Sequence, residues 1–128
     1  MRRSSRALCC ILFGALLRSG CGTGAELRQH AVALVAKSTQ TEFWLSVFAG
    51  AEAAATEYNV ALSIIGPDTE EDYETQNRMV ADAVAAGAEA IVFSAIDYEN
   101  NASAIDEAAR AGVKIVAIDS SVASDMVS

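Results

Sequence analysis

The stretch His30–Gly50, HAVALVAKSTQTEFWLSVFAG, changes its hydrophobic rhythm halfway along. Its first seven residues, His30–Ala36, are a short apolar run that suits a buried strand. Further on, Trp44, Val47, Phe48, Ala51, Ala54, Ala55 and Tyr58 recur at the i, i+3, i+4, i+7 spacing of an amphipathic helix. The segment between them, Lys37–Glu42, holds only Lys, Ser, Thr, Gln and Glu. Thr39, with Glu42 three residues on, has the form of a capping box at the helix entrance. Phe43 and Trp44 therefore stand at a strand-to-helix turn, an odd place for two adjacent aromatics whose only task is to fill a core.

The same alternation continues downstream. VALSII, Val60–Ile65, is a second strand, stopped by Gly66-Pro67. TEED, Thr69–Asp72, predicts a capped helix start, with the helix running through Ala86 and ending at Gly87. Ala90–Ser94 is a third strand, and Asn100 or Asn101 caps a third helix to Ala111, closed by Gly112. Lys114–Ile118 is a fourth strand. Strand starts fall roughly 25–30 residues apart, the repeat of successive βαβ crossovers. Continuously apolar strands need cover on both faces, which a parallel sheet between helical layers supplies. The expected fold class is α/β, with an open parallel sheet in a Rossmann-like or flavodoxin-like three-layer sandwich and strand order 2-1-3-4. The final segment, DSSVASDMVS, follows a strand with no closing helix, so residues 30–128 are expected to form an incomplete lobe of a longer protein.

Charge and the N-terminus constrain function. Four of the nine basic residues (Arg2, Arg3, Arg6, Arg18) precede Cys21, and all seventeen acids follow it. Five bases against seventeen acids leave that part with a net charge of −12, which repels nucleic-acid phosphates and excludes a DNA- or RNA-binding role. MRRSSR followed by ALCCILFGALL has the form of an export signal, and the apolar stretch is too short to span a bilayer. RSGC then resembles the lipobox of bacterial lipoproteins, in which Cys21 would carry the lipid. That pattern wants Leu three residues before the cysteine, where this chain has Arg18, with Leu17 one step early. A plain signal-peptidase site or a free thiol is the alternative for Cys21. The expected division is a signal peptide over 1–20, a tether over 21–29 and the folded lobe from residue 30. Cys9 and Cys10 lie in the leader, so no disulfide and no thiolate metal site is expected after Cys21. The single histidine, His30, is expected to be a surface residue at a strand entrance.

In an open parallel sheet, ligands bind beyond the carboxyl ends of the strands, where the strand order reverses. Four loops qualify: Lys37–Glu42, Gly66–Asp68, Ala95–Glu99 and Asp119–Ser121. The first contains no glycine, so neither a dinucleotide fingerprint nor a P-loop can form there. One histidine excludes a Ser-His-Asp or Cys-His set, and no cofactor is expected. The loops offer hydroxyls, amides, the carboxylates Asp97 and Asp119, and two aromatic rings. That inventory suits a neutral polyol: carboxylates accept from hydroxyls, and aromatic rings cover the C–H face of a sugar.

The segments VALVAKSTQTEFWLSVFAGAEAAATEYNV, AVAAGAEAIVFSAID and AARAGVKIVAIDSS resemble the N-terminal lobe of type I periplasmic binding proteins. These are the ribose/galactose-type sugar receptors of ABC transporters. The resemblance implies that Phe43 and Trp44 pack on a sugar ring and that Asp119 hydrogen-bonds ring hydroxyls. Asp97 would shape the crevice, and Gln40 and Thr41 occupy places where ribose-like receptors carry polar amides. Ser120 stands where ribose-type receptors often have Arg, which leaves the sugar open. Each residue also has a plainer role: Trp44 in the core stripe, Asp97 as a helix cap, Asp119 in a turn. Glu70-Glu71-Asp72 is expected to be a solvated helix start, and Tyr58 and Tyr73 ordinary packing residues.

The expected function is that of an exported, lipid-anchored receptor, not an enzyme, which captures a small sugar or polyol and presents it to an ABC-transporter permease. Its two lobes would close around the ligand, so one lobe alone would bind weakly or not at all. The rivals are a sensory receptor feeding a histidine kinase or chemoreceptor, an enzyme on a doubly wound sheet, and the effector domain of a transcription regulator. The export leader stands where the last would need a helix-turn-helix.

Overall fold

The computed structural model describes residues 28–128. The expected export signal over 1–20, Cys21 and most of the expected tether lie outside the described residues. The elements are β1 (His30–Val35), α1 (Glu42–Glu57), β2 (Val60–Ile65), α2 (Tyr73–Ala85), β3 (Ala90–Phe93), α3 (Ala102–Arg110) and β4 (Lys114–Ala117). They form one parallel sheet of order β2-β1-β3-β4. This is the α/β topology that the alternating periodicity predicts. Among the described residues, no helix is long and apolar enough to cross a membrane.

The sheet separates two apolar layers, because residues alternate between faces along each strand. On one face Ala33, Val35, Ile91, Phe93 and Ile115 pack against Val80 and Ala83 of α2 and Ile105 and Ala108 of α3. On the other, Leu34 and Ala36 pack against Trp44 and Phe48 of α1. The helix leaving β1 therefore goes to one face, and those leaving β2 and β3 go to the other. That split lies between β1 and β3, at the centre of the sheet.

Element boundaries differ from the sequence expectation at two helix starts, while α3 begins where expected. α1 is capped by Thr41, not Thr39: the Thr41 hydroxyl accepts from Trp44 N–H at 3.4 Å. α2 begins at Tyr73 under Asp72, not at Thr69. The Asp72 carboxylate accepts from Thr75 N–H at 2.9 Å, a charge-assisted bond at the positive end of the helix that a hydroxyl does not match. The Thr75 side chain, with this backbone bond second, holds the Asp72 carboxyl below its ordinary pKa. Asn101 occupies the N-cap position of α3 but makes no side-chain cap bond. β3 and β4 each end one residue early, although Ser94 and Ile118 stay tied to the sheet through Val35 O at 3.2 Å and Phe93 O at 2.9 Å.

Candidate functional site

Beyond the carboxyl ends of β1 and β4, an open recess of about 380 Å³ is lined by Lys37, Thr41, Phe43, Trp44, Glu70 and Asp119. A larger recess, about 560 Å³, runs along α1 and β2 between Gln29 and Ile64. Volume alone does not make a binding site. Convergent hydrogen-bonding groups beside an aromatic face do, and the smaller recess has them.

Asp119 is the centre of the arrangement. It follows β4 with φ = 57°, a left-handed conformation that costs a non-glycine residue but that Asp tolerates better than most. Its Oδ2 accepts from Lys37 Nζ at 3.0 Å, Ser94 Oγ at 3.0 Å and Ser120 Oγ at 3.2 Å. All three contacts fall on one oxygen; among the described residues, Oδ1 has no donor. The bond from Lys37 holds the Asp119 carboxyl below the ordinary range against the opposing effect of burial, with Ser94, the Lys37 charge and Ser120 adding to it. The result is a fixed carboxylate beside a fixed ammonium, an acceptor and a donor side by side. A pair of neighbouring hydroxyls on a ligand could meet both.

The two aromatics divide. Phe43 is 56% exposed, while Trp44 is 1% exposed and belongs to the α1-side core. Their rings meet edge to face at 5.1 Å, and Trp44 stacks on Phe48 at 6.2 Å. The Trp44 indole N–H donates to Glu70 Oε1 at 2.9 Å. Trp44 thus forms the wall of the recess and props Phe43, which offers the open ring.

The remaining sequence candidates distribute as follows. Thr41 lines the recess while its hydroxyl caps α1. Ser120 reaches the site through Asp119. Gln40 is exposed, outside the lining, with its amide on Thr39 Oγ1 at 3.2 Å. Asp97 also lies outside the lining, and its Oδ1 accepts from Asn100 N–H at 2.8 Å and Glu99 N–H at 3.0 Å. The Asn100 bond leads the effects that hold its carboxyl low. Among the described residues, no group of three His, Cys, Asp or Glu side chains could hold a metal ion.

Sequence reading missed two lining residues. Lys37 was visible as the first loop residue after an apolar strand, but nothing in one dimension placed its ammonium against a carboxylate 82 positions away. Glu70 belongs to an acidic run that the sequence alone places at a solvated helix start. Its tie to Trp44 depends on α2 starting at Tyr73, which leaves 66–72 free to turn back over α1.

Comparison with known proteins places the fold in a family. Residues 32–128 match the family model described as a periplasmic binding protein domain, and the chain belongs to that family. A sugar transporter from Clostridium phytofermentans is 33% identical, with a TM-score of 0.75 over 77% of this chain and 37% of its own. A carbohydrate transporter solute-binding protein from Agrobacterium radiobacter, in complex with D-arabinose, is 30% identical, with a TM-score of 0.76 over 79% and 34%. An ABC transporter solute-binding protein from Agrobacterium vitis, with bound D-fucose, is 29% identical, with a TM-score of 0.70 over 73% and 32%. The chain thus spans about a third of the length of these solved relatives. No curated protein matches the sequence.

Proposed function

We propose that this chain is the N-terminal lobe of a solute-binding receptor that captures a small sugar or polyol outside the cytoplasmic membrane for uptake by an ABC transporter. The observation that carries the proposal is the Lys37–Asp119 pair beside the open Phe43 ring, in a recess at the strand-order reversal. Phe43 stacks on the C–H face of the ring. Asp119 Oδ1 accepts from one hydroxyl, and Lys37 and Thr41 meet its neighbours. Ser120 and Trp44 hold these groups in place, and Gln40 and Asp97 stand at the margin. A second lobe closes over the ligand, whose contacts with both lobes favour the closed form. Residues 1–20 export the protein, Cys21 carries a lipid, and the segment 21–29 tethers the lobe to the membrane near the permease. The bound sugars of the relatives from Agrobacterium support the ligand class.

The test is a thermal-shift screen of the full-length mature protein against pentoses, hexoses, polyols and amino acids. A ligand at a hundred times its Kd stabilises the native state by about 2.7 kcal/mol, a rise of several degrees. A pentose or hexose is expected to produce it, and Asp119→Ala to weaken the response by about 1–3 kcal/mol of affinity. A response to amino acids alone would overturn the sugar assignment.

A further inference from the structure

Gln76 is fully buried in the first turn of α2, yet it is polar. Its Nε2 donates to Ala36 O at 2.9 Å and to Ser94 O at 2.8 Å, and its Oε1 accepts from Ile96 N–H at 3.1 Å. The three partners fix the amide's orientation, because two carbonyls need the NH₂ and one N–H needs the oxygen. The need for such a group follows from the topology. β1 and β3 are paired up to Val35 and Phe93, and then the chain leaves for opposite faces. Backbone groups at that split lose their ladder partners where water does not reach, which is costly unless a side chain replaces them. A carboxamide on α2 reaches both strands at once.

Its contacts map onto the recess. Ala36 directly precedes Lys37, whose ammonium holds Asp119 Oδ2. Ser94, the other carbonyl held, donates its own hydroxyl to the same oxygen. The two donors that come to Asp119 from β1 and β3 are therefore spaced by one buried amide beneath them. Resting on the receptor reading of this recess, we propose that Gln76 is a positioning residue for the ligand site. It sets the gap between the ends of β1 and β3, and so aims Lys37 and Ser94 at Asp119.

The proposal is tested by following the Asp119 side-chain carboxyl through an acid titration by ¹³C NMR in the ligand-free chain. Lys37 and Glu70 are the other charged groups lining the recess. Gln76→Leu removes all three bonds, and the Asp119 midpoint should rise by about one pH unit as its donors drift. Val80→Ala is the control: Val80 is buried on the same helix face one turn on, and its truncation should lower the melting temperature while leaving the Asp119 midpoint unchanged. If Gln76→Leu does not fold, Gln76→Glu keeps the shape and the acceptor for Ile96 but sets a carboxylate against two carbonyls, and the same rise is expected. Ser94→Ala cuts one link with the clasp intact and should also raise the midpoint. A wild-type Asp119 midpoint in any folded Gln76 variant, or in Ser94→Ala, overturns the proposal.

In the full-length protein, Gln76→Leu should weaken sugar binding about tenfold and have no further effect once Asp119→Ala is present. The titration uses no ligand. Its failure would remove the clasp and leave the receptor reading standing, whereas wild-type protein that binds no sugar would remove the receptor reading and leave the clasp.

Discussion

The two ends of the sheet are built by different means. At the amino ends of the strands the connections are short, two residues at 58–59, four at 86–89 and three at 111–113. They turn through left-handed backbone at Asn59, Gly87 and Gly112. At the carboxyl ends the connections run to six, seven and eight residues, 36–41, 66–72 and 94–101. The buried polar side chains Ser38, Gln76, Ser94 and Asn101 all belong to that end. Ser38 donates to Asp68 O at 3.1 Å; Asn101 accepts from Asp97 N–H at 2.8 Å and donates to Asn77 Oδ1 at 2.6 Å. One rim is closed by short turns, with only exposed side-chain bonds around them. The other holds longer loops still with side-chain bonds to backbone, as a binding rim must if its contacts are set before the ligand arrives.

The sharpest test of this division lies inside the proposed binding rim itself. Trp44→Ala should cost about 3–5 kcal/mol of folding stability in urea unfolding, since it empties the α1-side core and strips Glu70 of its partner. Phe43→Ala, one residue away, should change stability by less than about 0.5 kcal/mol and weaken sugar binding about tenfold. Equal losses of stability would erase the distinction between wall and contact.

That pair also marks how far the sequence could be read. The strands and their order were legible, because periodicity and the Gly87 and Gly112 stops each act locally or through topology alone. The aromatic pair was legible as a rim feature, and Trp44's place on the apolar stripe already hinted at its burial. Lys37, Glu70 and Gln76 were not legible in their roles. Each bonds to a residue 18 to 82 positions away, and no local pattern encodes such a distance. Asp97 departs from its expected helix-cap role by a short distance: its bonds to Glu99 and Asn100 close the turn ahead of α3, whose N-cap position is Asn101.

A smaller effect separates the rims through their glycines. An added Cβ at Gly87 meets nothing within 4 Å, so Gly87→Ala carries only the cost of φ = 89°, about 1–2 kcal/mol, and should leave sugar affinity unchanged. Gly66, at the binding rim, differs. A Cβ there would sit 3.0 Å from Ala36 O, the carbonyl that Gln76 holds. Gly66→Ala should therefore weaken sugar binding, by displacing the end of β1 next to Lys37. Thermal unfolding and ligand titration of both variants check this; a loss of affinity in Gly87→Ala would mean that the rims are coupled.

The smallest effect expected is electrostatic. Glu89 at the amino rim accepts from His30 Nδ1 at 2.8 Å and Arg28 at 2.9 Å, and the His30 bond leads the effects that hold its carboxyl low. Asp119 is held low first by Lys37. Both folded pKa values are depressed, so both contributions are complete above the unfolded carboxylate range, near pH 4, and are lost as pH falls through the lowered folded values. Stability should be level with respect to these two groups from pH 7 to about pH 5 and decline below about pH 4. Salt tells the rims apart. Arg28 and His30 are 81% and 74% exposed, while Lys37 is 19% exposed. The two carboxylates are alike in exposure, Glu89 at 34% and Asp119 at 38%. At about 1 M salt, where the screening length is about 3 Å, the contrast therefore rests on the exposed cations being screened more than Lys37. Carboxyl titrations at low and high salt should therefore show the Glu89 midpoint moving up toward its ordinary value and the Asp119 midpoint holding. Equal movement of both would mean that the Lys37–Asp119 pair is no better sheltered than a surface contact, and the contrast between a fixed rim and a merely turned one would lose its electrostatic half.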